Sequence, residues 1–204
     1  MDFLMIAIVF IFGTIIGSFL NVVIYRYNSG TSPLTGRSQC FACGKILKWY
    51  ELIPLFSFLV QRGRCGKCGV KLSLQYPIVE ILSGGIFVAV FLLGKPIPET
   101  ALLLVIFSTL LVIAVYDLCH QIIPDGLAFL FAVLGLARFF SSVDIARAIH
   151  FPYVWTLIAG PMLFFPFWAL WFVSRGRWLG LGDGKLALGI GWFLGATLGG
   201  SAIM

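Results

Sequence analysis

Two short runs far apart in the chain place carboxylates at the ends of strongly apolar segments. They are Asp117-Leu118-Cys119-His120-Gln121-Ile122-Ile123-Pro124-Asp125 and Gly180-Leu181-Gly182-Asp183-Gly184-Lys185. A carboxylate beside lipid is costly, so each run is a functional-site hypothesis by default. Two carboxylates forced close together cannot both ionise cheaply. They share a proton, and the pair can then take a proton from water and give one to a carbonyl oxygen. That is the chemistry of peptide hydrolysis. Gly180, Gly182 and Gly184 would let backbone crowd Asp183 and let an extended substrate approach. Pro124 is expected to break the helix that follows Asp117, and Asp125 to cap the next one. Lys185 would either draw the pair's pKa down or snorkel to the headgroups, with snorkelling preferred. Either run alone also reads as a helix cap or a loop turn.

A second constellation is Cys40-Phe41-Ala42-Cys43 followed by Cys65-Gly66-Lys67-Cys68. Each C-x-x-C pair can bite one metal, and the residues between are enough to fold back and close a tetrahedron. Gly44 and Gly69 follow the second cysteine of each pair, where a knuckle turn brings backbone N–H groups toward the thiolates. Four thiolates leave no open position, so a structural zinc is expected on Cys40, Cys43, Cys65 and Cys68. Redox dithiols or disulfides are the alternatives. Cys119 reads as a buried packing cysteine rather than a nucleophile.

The elements that must position these groups are membrane helices. Hydrophobic residues make up 60% of the 204-residue chain and charged ones 11%, an imbalance that no soluble core of this size could absorb. Six apolar stretches run roughly Phe3 to Ile24, Pro77 to Gly94, Thr100 to Tyr116, Ile122 to Phe140, Tyr153 to Ser174 and Leu186 to Ile203. Most are about 17 to 22 residues, the length that crosses the hydrocarbon as helix. The expected fold is an all-α polytopic membrane bundle of about six transmembrane helices. Its parts are a first span over 1–26, a zinc-binding cytoplasmic insertion over 27–76, and a transmembrane aspartyl bundle over 77–204. Met1-Asp2 supplies no basic n-region, so no cleaved signal peptide is expected. Gly13, Gly17 and Ser18 on the first span, and Gly189, Gly191 and Gly195 on the last, offer small faces for close helix approach.

Charge orients the bundle. Arg26, Arg37, Lys45, Lys48, Arg62, Arg64, Lys67 and Lys71 all fall between the first two spans, where the one acid is Glu51. The positive-inside rule makes that loop cytoplasmic and puts the N-terminus outside. Alternation then brings both aspartate runs to the cytoplasmic face, leaving Lys95, Arg138 and Arg147 outside. The formal charge of +6 is accounted for by this signal and by anionic lipid, and no nucleic-acid partner is expected.

With these residues in place, the chain resembles the type IV prepilin peptidases. The N-terminal half carries the resemblance in Gly17-Ser18-Phe19-Leu20-Asn21-Val22-Val23-Ile24-Tyr25-Arg26, Arg37-Ser38-x-Cys40-x-x-Cys43, Trp49-Tyr50-Glu51-Leu52-Ile53-Pro54-Leu55-x-Ser57, Gly63-Arg64-Cys65-x-x-Cys68 and Tyr76-Pro77-x-x-Glu80. The run from Asp117 to Asp125 and that from Gly180 to Leu186 resemble the family's two aspartyl motifs. The match runs in order over nearly the whole chain. The resemblance implies an inner-membrane enzyme that cleaves the basic leader of type IV prepilins or pseudopilins. It also implies N-methylation of the new N-terminus from S-adenosylmethionine. The catalytic pair falls on Asp117 and Asp183. Two departures stand out: Cys119 occupies a place where many relatives carry a further acid, and relatives continue with additional spans where this sequence ends at Met204.

A prepilin places its scissile bond between a basic leader and an apolar helix, level with the cytoplasmic membrane surface. Glu51 or Glu80 could hold leader cations, and Glu80 could equally pair with Lys71. The alternatives are another Gly-x-Gly-Asp intramembrane protease, a metal-binding membrane transporter, or a non-catalytic scaffold. The paired C-x-x-C motifs argue against the first. The second would need ligands in the spans, yet the histidines are His120 and His150 alone. No Gly-x-Gly-x-x-Gly loop marks the methyl-donor site.

Overall fold

A computed structural model describes the backbone of residues 3–142 and 153–201, with side chains to 141 and from 153 to 195. Arg147, His150 and Ile203 lie outside the described residues. Among those described, the chain is helical, with long helices at all six expected places. They are α1 (Phe3–Arg26), α3 (Gln75–Leu92), α4 (Ile97–His120), α5 (Asp125–Ser142), α6 (Tyr153–Ser174) and α7 (Leu181–Ser201). Between α1 and α3 lie a 3-10 turn at Trp49–Leu52 and the short α2 (Phe56–Val60). Helices α1, α3, α4 and α6 are long and apolar enough to cross a membrane. Helices α5 and α7 run to the limits of the described residues.

The chain divides into two compact units, Met1–Lys95 and Pro96–Met204. In the first, α1 packs on α3 through the expected small residues. A methyl carbon at Gly13 would meet the Gly84 Cα at 2.8 Å, and one at Gly17 the Glu80 Cα at 2.8 Å. That closeness lets the Ser83 hydroxyl donate to the Gly13 carbonyl at 2.8 Å, and Asn21 Nδ2 to the Tyr76 carbonyl at 3.2 Å. Interhelical polar contacts of this kind hold apolar helices together where the hydrophobic effect between them is absent.

In the second unit, α7 is the central element, with α5 and α6 against it. Its glycines again allow contact. A methyl carbon at Gly189 would strike the Phe131 ring of α5, and one at Gly191 would lie 2.5 Å from the Ala159 carbonyl of α6. The Trp192 indole fills the space left by Gly160 and donates to the Leu157 carbonyl at 2.9 Å. Ile106, Ile113 and Phe131 form a buried cluster that joins α4 to α5, with Ile123 and Leu186 packed on it.

Candidate functional site

The two aspartate runs meet within the second unit. Asp117 lies in the last turn of α4, which stops at His120. Gln121 then takes the left-handed conformation (φ 54°), and its N–H bonds the Asp117 carbonyl at 2.6 Å. The helix therefore ends three residues past Asp117 on its own cap, before Pro124 is reached. Pro124 instead is buried, and its carbonyl accepts the Ala128 N–H of the next helix at 3.0 Å. Asp183 sits in the first turn of α7, and both aspartates are half-buried; Cys119, expected to be buried, is exposed.

Two contacts bring the motifs together. A methyl carbon at Gly182 would lie 3.0 Å from the Ile123 Cβ and 3.1 Å from its carbonyl oxygen. Lys185 Nζ lies 2.9 Å from Asp125 Oδ1. The glycine thus serves the meeting of the two motifs themselves. Lys185 thus has a carboxylate partner, which was not among the expectations above. Asp125 is the first residue of α5 rather than its cap, a place that falls to Pro124, and its side chain turns to Lys185. Gly184 packs against the Phe164 and Phe167 side chains of α6.

The first unit holds the four cysteines. The Sγ atoms of Cys40, Cys43, Cys65 and Cys68 lie within 4.8 Å of one another and can hold a metal ion, with Cys40 and Cys68 at 3.9 Å. Two copies of one turn build the cluster. The N–H groups of Cys40, Gly44 and Leu47 bond the carbonyls of Lys45, Cys40 and Ser38. Those of Cys65, Gly69 and Leu72 bond Val70, Cys65 and Gly63 at distances matching to 0.1 Å. Gly44 and Gly69 carry φ of +67° and +71°, which explains the glycine after each second cysteine. Antiparallel bridges Gln39–Ile46 and Arg64–Lys71 close the two turns.

This geometry prepares thiolates. The N–H groups of Cys68 and Lys67 point at Cys65 and bring its thiol down to about 6. At Cys68 the Val70 N–H pulls downward, but burial and the three neighbouring thiols push it up to about 11. Four negative sulfurs would repel at this spacing, and a cation in their midst is what lets all of them ionise. Beside the cluster, Lys45 Nζ lies 2.6 Å from Glu51 Oε1, and the Lys48 N–H bonds the same carboxylate at 3.0 Å. The Lys45 hydrogen bond holds Glu51 below its usual range, and the Glu51 hydrogen bond holds Lys45 above its own.

Glu80 accepts the Leu55 N–H at 2.8 Å. It is therefore no partner for Lys71, and both acids offered above for leader cations are already engaged. The Arg26 guanidinium binds the carbonyls of Ser32, Thr35 and Arg37 at 2.9, 2.7 and 3.2 Å, pinning the loop that leads to the first knuckle. Between this loop, the two knuckles, the last turns of α1 and the first turns of α3 is a cavity of about 820 Å³. On one wall Tyr25 stacks on Tyr76 at 5.3 Å and meets Phe41 at 5.5 Å.

These features define a polytopic helical membrane protein with a four-cysteine insertion and two carboxylate motifs joined at one end of a helical unit. The Bacterial Peptidase A24 N-terminal domain matches residues 11–93 and the Type IV leader peptidase family matches residues 104–202. A prepilin leader peptidase/N-methyltransferase of Klebsiella pneumoniae is 33% identical over 91% of this chain and 83% of its own length. One from Myxococcus xanthus is 37% identical over 91% of this chain, and one from Bacillus subtilis 36% identical over 69%. The chain spans 55% and 57% of those two relatives. No solved structure matches it. The chain belongs to the type IV leader peptidase family.

Proposed function

We propose that this chain is an aspartyl endopeptidase of the bacterial inner membrane that removes the basic leader of type IV prepilins or pseudopilins. Asp117 and Asp183 are its catalytic pair. The observation that carries this reading is the joining of the two aspartate runs through Gly182 on Ile123 and Lys185 on Asp125. That joining draws together the last turn of α4 and the first of α7, on which the two acids sit. One carboxylate takes the proton of the attacking water while its protonated partner supports the carbonyl oxygen. The peptidase role is assigned to the helices of 77–204, and the metal to the insertion of 27–76. The excess of Lys and Arg between α1 and α3 supports a cytoplasmic insertion, an N-terminus outside, and aspartates at the cytoplasmic face.

The metal is zinc. Its bonds to sulfur of about 2.3 Å in a tetrahedron give sulfur separations of about 3.8 Å, and the Cys40–Cys68 spacing of 3.9 Å supports that fit. The cluster closes its own coordination, so the zinc organises the insertion and takes no part in hydrolysis.

The same chain N-methylates the new N-terminus. S-adenosylmethionine supplies an electrophilic methyl group, and the cavity of the first unit suits it. Tyr25, Phe41 and Tyr76 offer faces for adenine, and Arg37 a cation for the amino-acid carboxylate. Binding of S-adenosylmethionine to the purified chain, measured by calorimetry, should weaken severalfold in Tyr25→Ala.

The deciding experiment is cleavage of a prepilin in membranes containing this chain, with Asp183→Asn as control. Cleavage by the wild type and none by the variant supports the reading. Equal cleavage by both removes it.

A further inference from the structure

We propose that the Trp49–Val60 segment of the insertion lies in the headgroup layer of the bilayer and binds anionic lipid. The inference rests on α1 and α3 crossing the membrane, and not on the peptidase reading. Within this segment four large apolar side chains face outward: Trp49 is 77% exposed, Phe56 60%, Leu59 73% and Val60 64%. An aqueous domain would not present so many large apolar groups together unless something covers them.

Glu80 sets the depth. It lies five residues into α3, about 8 Å along the helix axis from Gln75 at 1.5 Å per residue. Its carboxylate holds the Leu55 N–H, and Leu55 sits at φ +60°, a conformation that its side chain disfavours. The segment is thus pinned alongside the first turns of a spanning helix. Interfacial helices lie at a similar depth, about 5 to 10 Å into the headgroup boundary. Trp and Tyr, here Trp49 and Tyr50, are the residues that favour that layer.

Charge selects the lipid. The acids of residues 3–95 are Glu51 and Glu80, held by Lys45 and by the Leu55 N–H respectively. Among the described residues of their unit, Arg37, Lys48, Arg62, Arg64, Lys67 and Lys71 therefore meet no other carboxylate. A cationic rim around an apolar segment matches an anionic leaflet.

The test places a photo-crosslinking phenylalanine analogue at Leu59, and separately at the exposed Thr31, in the full chain. The protein is reconstituted in vesicles of phosphatidylcholine with phosphatidylglycerol, or of phosphatidylcholine alone. Lipid adducts, read by mass spectrometry, should be severalfold more abundant at position 59 than at 31 in anionic vesicles. They should fall in neutral vesicles, and in Arg62→Gln/Arg64→Gln. Equal adducts at 59 and 31 would overturn the proposal. So would adducts at 59 only to an added prepilin, which would make the segment a substrate dock. Undiminished adducts at 59 in neutral vesicles would overturn the anionic preference.

Discussion

Lys185 and Asp125, sixty residues apart in sequence, form an ion pair at 2.9 Å that ties the first turn of α7 to the first turn of α5. Asp125 is 70% exposed, and an exposed pair contributes only about 0.2 to 1 kcal/mol. Its role is alignment. Asp125→Asn and Lys185→Gln should leave the melting temperature nearly unchanged and lower prepilin cleavage without abolishing it. The exchanged double variant Asp125→Lys/Lys185→Asp should recover part of the loss. Full activity in both single variants would show that the pair aligns nothing.

Asp117→Asn and Asp183→Asn should each abolish cleavage while the protein stays folded and keeps its metal. An amide can neither accept nor release the proton the reaction moves. Methylation of a pre-cleaved pilin should persist in Asp183→Asn, because attack by a free amine on a methyl sulfonium needs no activated water. Loss of both activities in a folded, metal-loaded Asp183→Asn protein would place the two chemistries at one site.

Metal analysis should find about one zinc per chain, and little in Cys40→Ser or Cys68→Ser. The metal-free protein should show one thiolate forming near pH 6, followed by ultraviolet absorbance and absent from Cys65→Ser. The sign follows from the depressed pKa. Cys65 in the folded chain ionises below the ordinary 9.0, so its stabilisation is complete above pH 9 and is lost as pH falls through about 6. Cys68 should stay protonated to about pH 11. Retention of full stability after chelation, with no thiol step near pH 6, would contradict both the metal and the knuckle geometry.

Gly191→Ala should destabilise the protein in detergent by about 1 to 3 kcal/mol, the usual cost of overpacking, because the added methyl falls 2.5 Å from a backbone carbonyl. At Gly85 nothing lies within 4 Å of such a methyl, and Gly85→Ala should be neutral or slightly stabilising, since alanine favours helix. Similar thermal shifts in the two variants would refute the packing of α6 on α7.

The helices were legible because apolar length is a strong signal, and the knuckles because a glycine after each C-x-x-C can mean only a few backbone shapes. The gathering of the aspartate runs was legible only as a consequence of topology. Its physical agents were not. Lys185 and Asp125 were both visible as opposite charges within the two motifs, which is the signal that could have paired them. Gln121 closing α4 was hidden, since left-handed caps usually announce themselves with glycine. Glu80 bonding Leu55 was hidden too, since its partner is a backbone N–H that every residue but proline carries.

The backbone hydrogen bonds of 38–47 stay within 38–47, while in 63–72 three stay inside and the Gly63 and Arg64 N–H groups reach back to the Phe58 and Gln61 carbonyls. Each tip is closed by the same three hydrogen bonds, and the sulfurs are where one tip is registered against the other. Interchanging the two tips along the chain should therefore give a protein that still assembles the same cluster, because the sulfur cluster depends on the shape of each tip and not on its order.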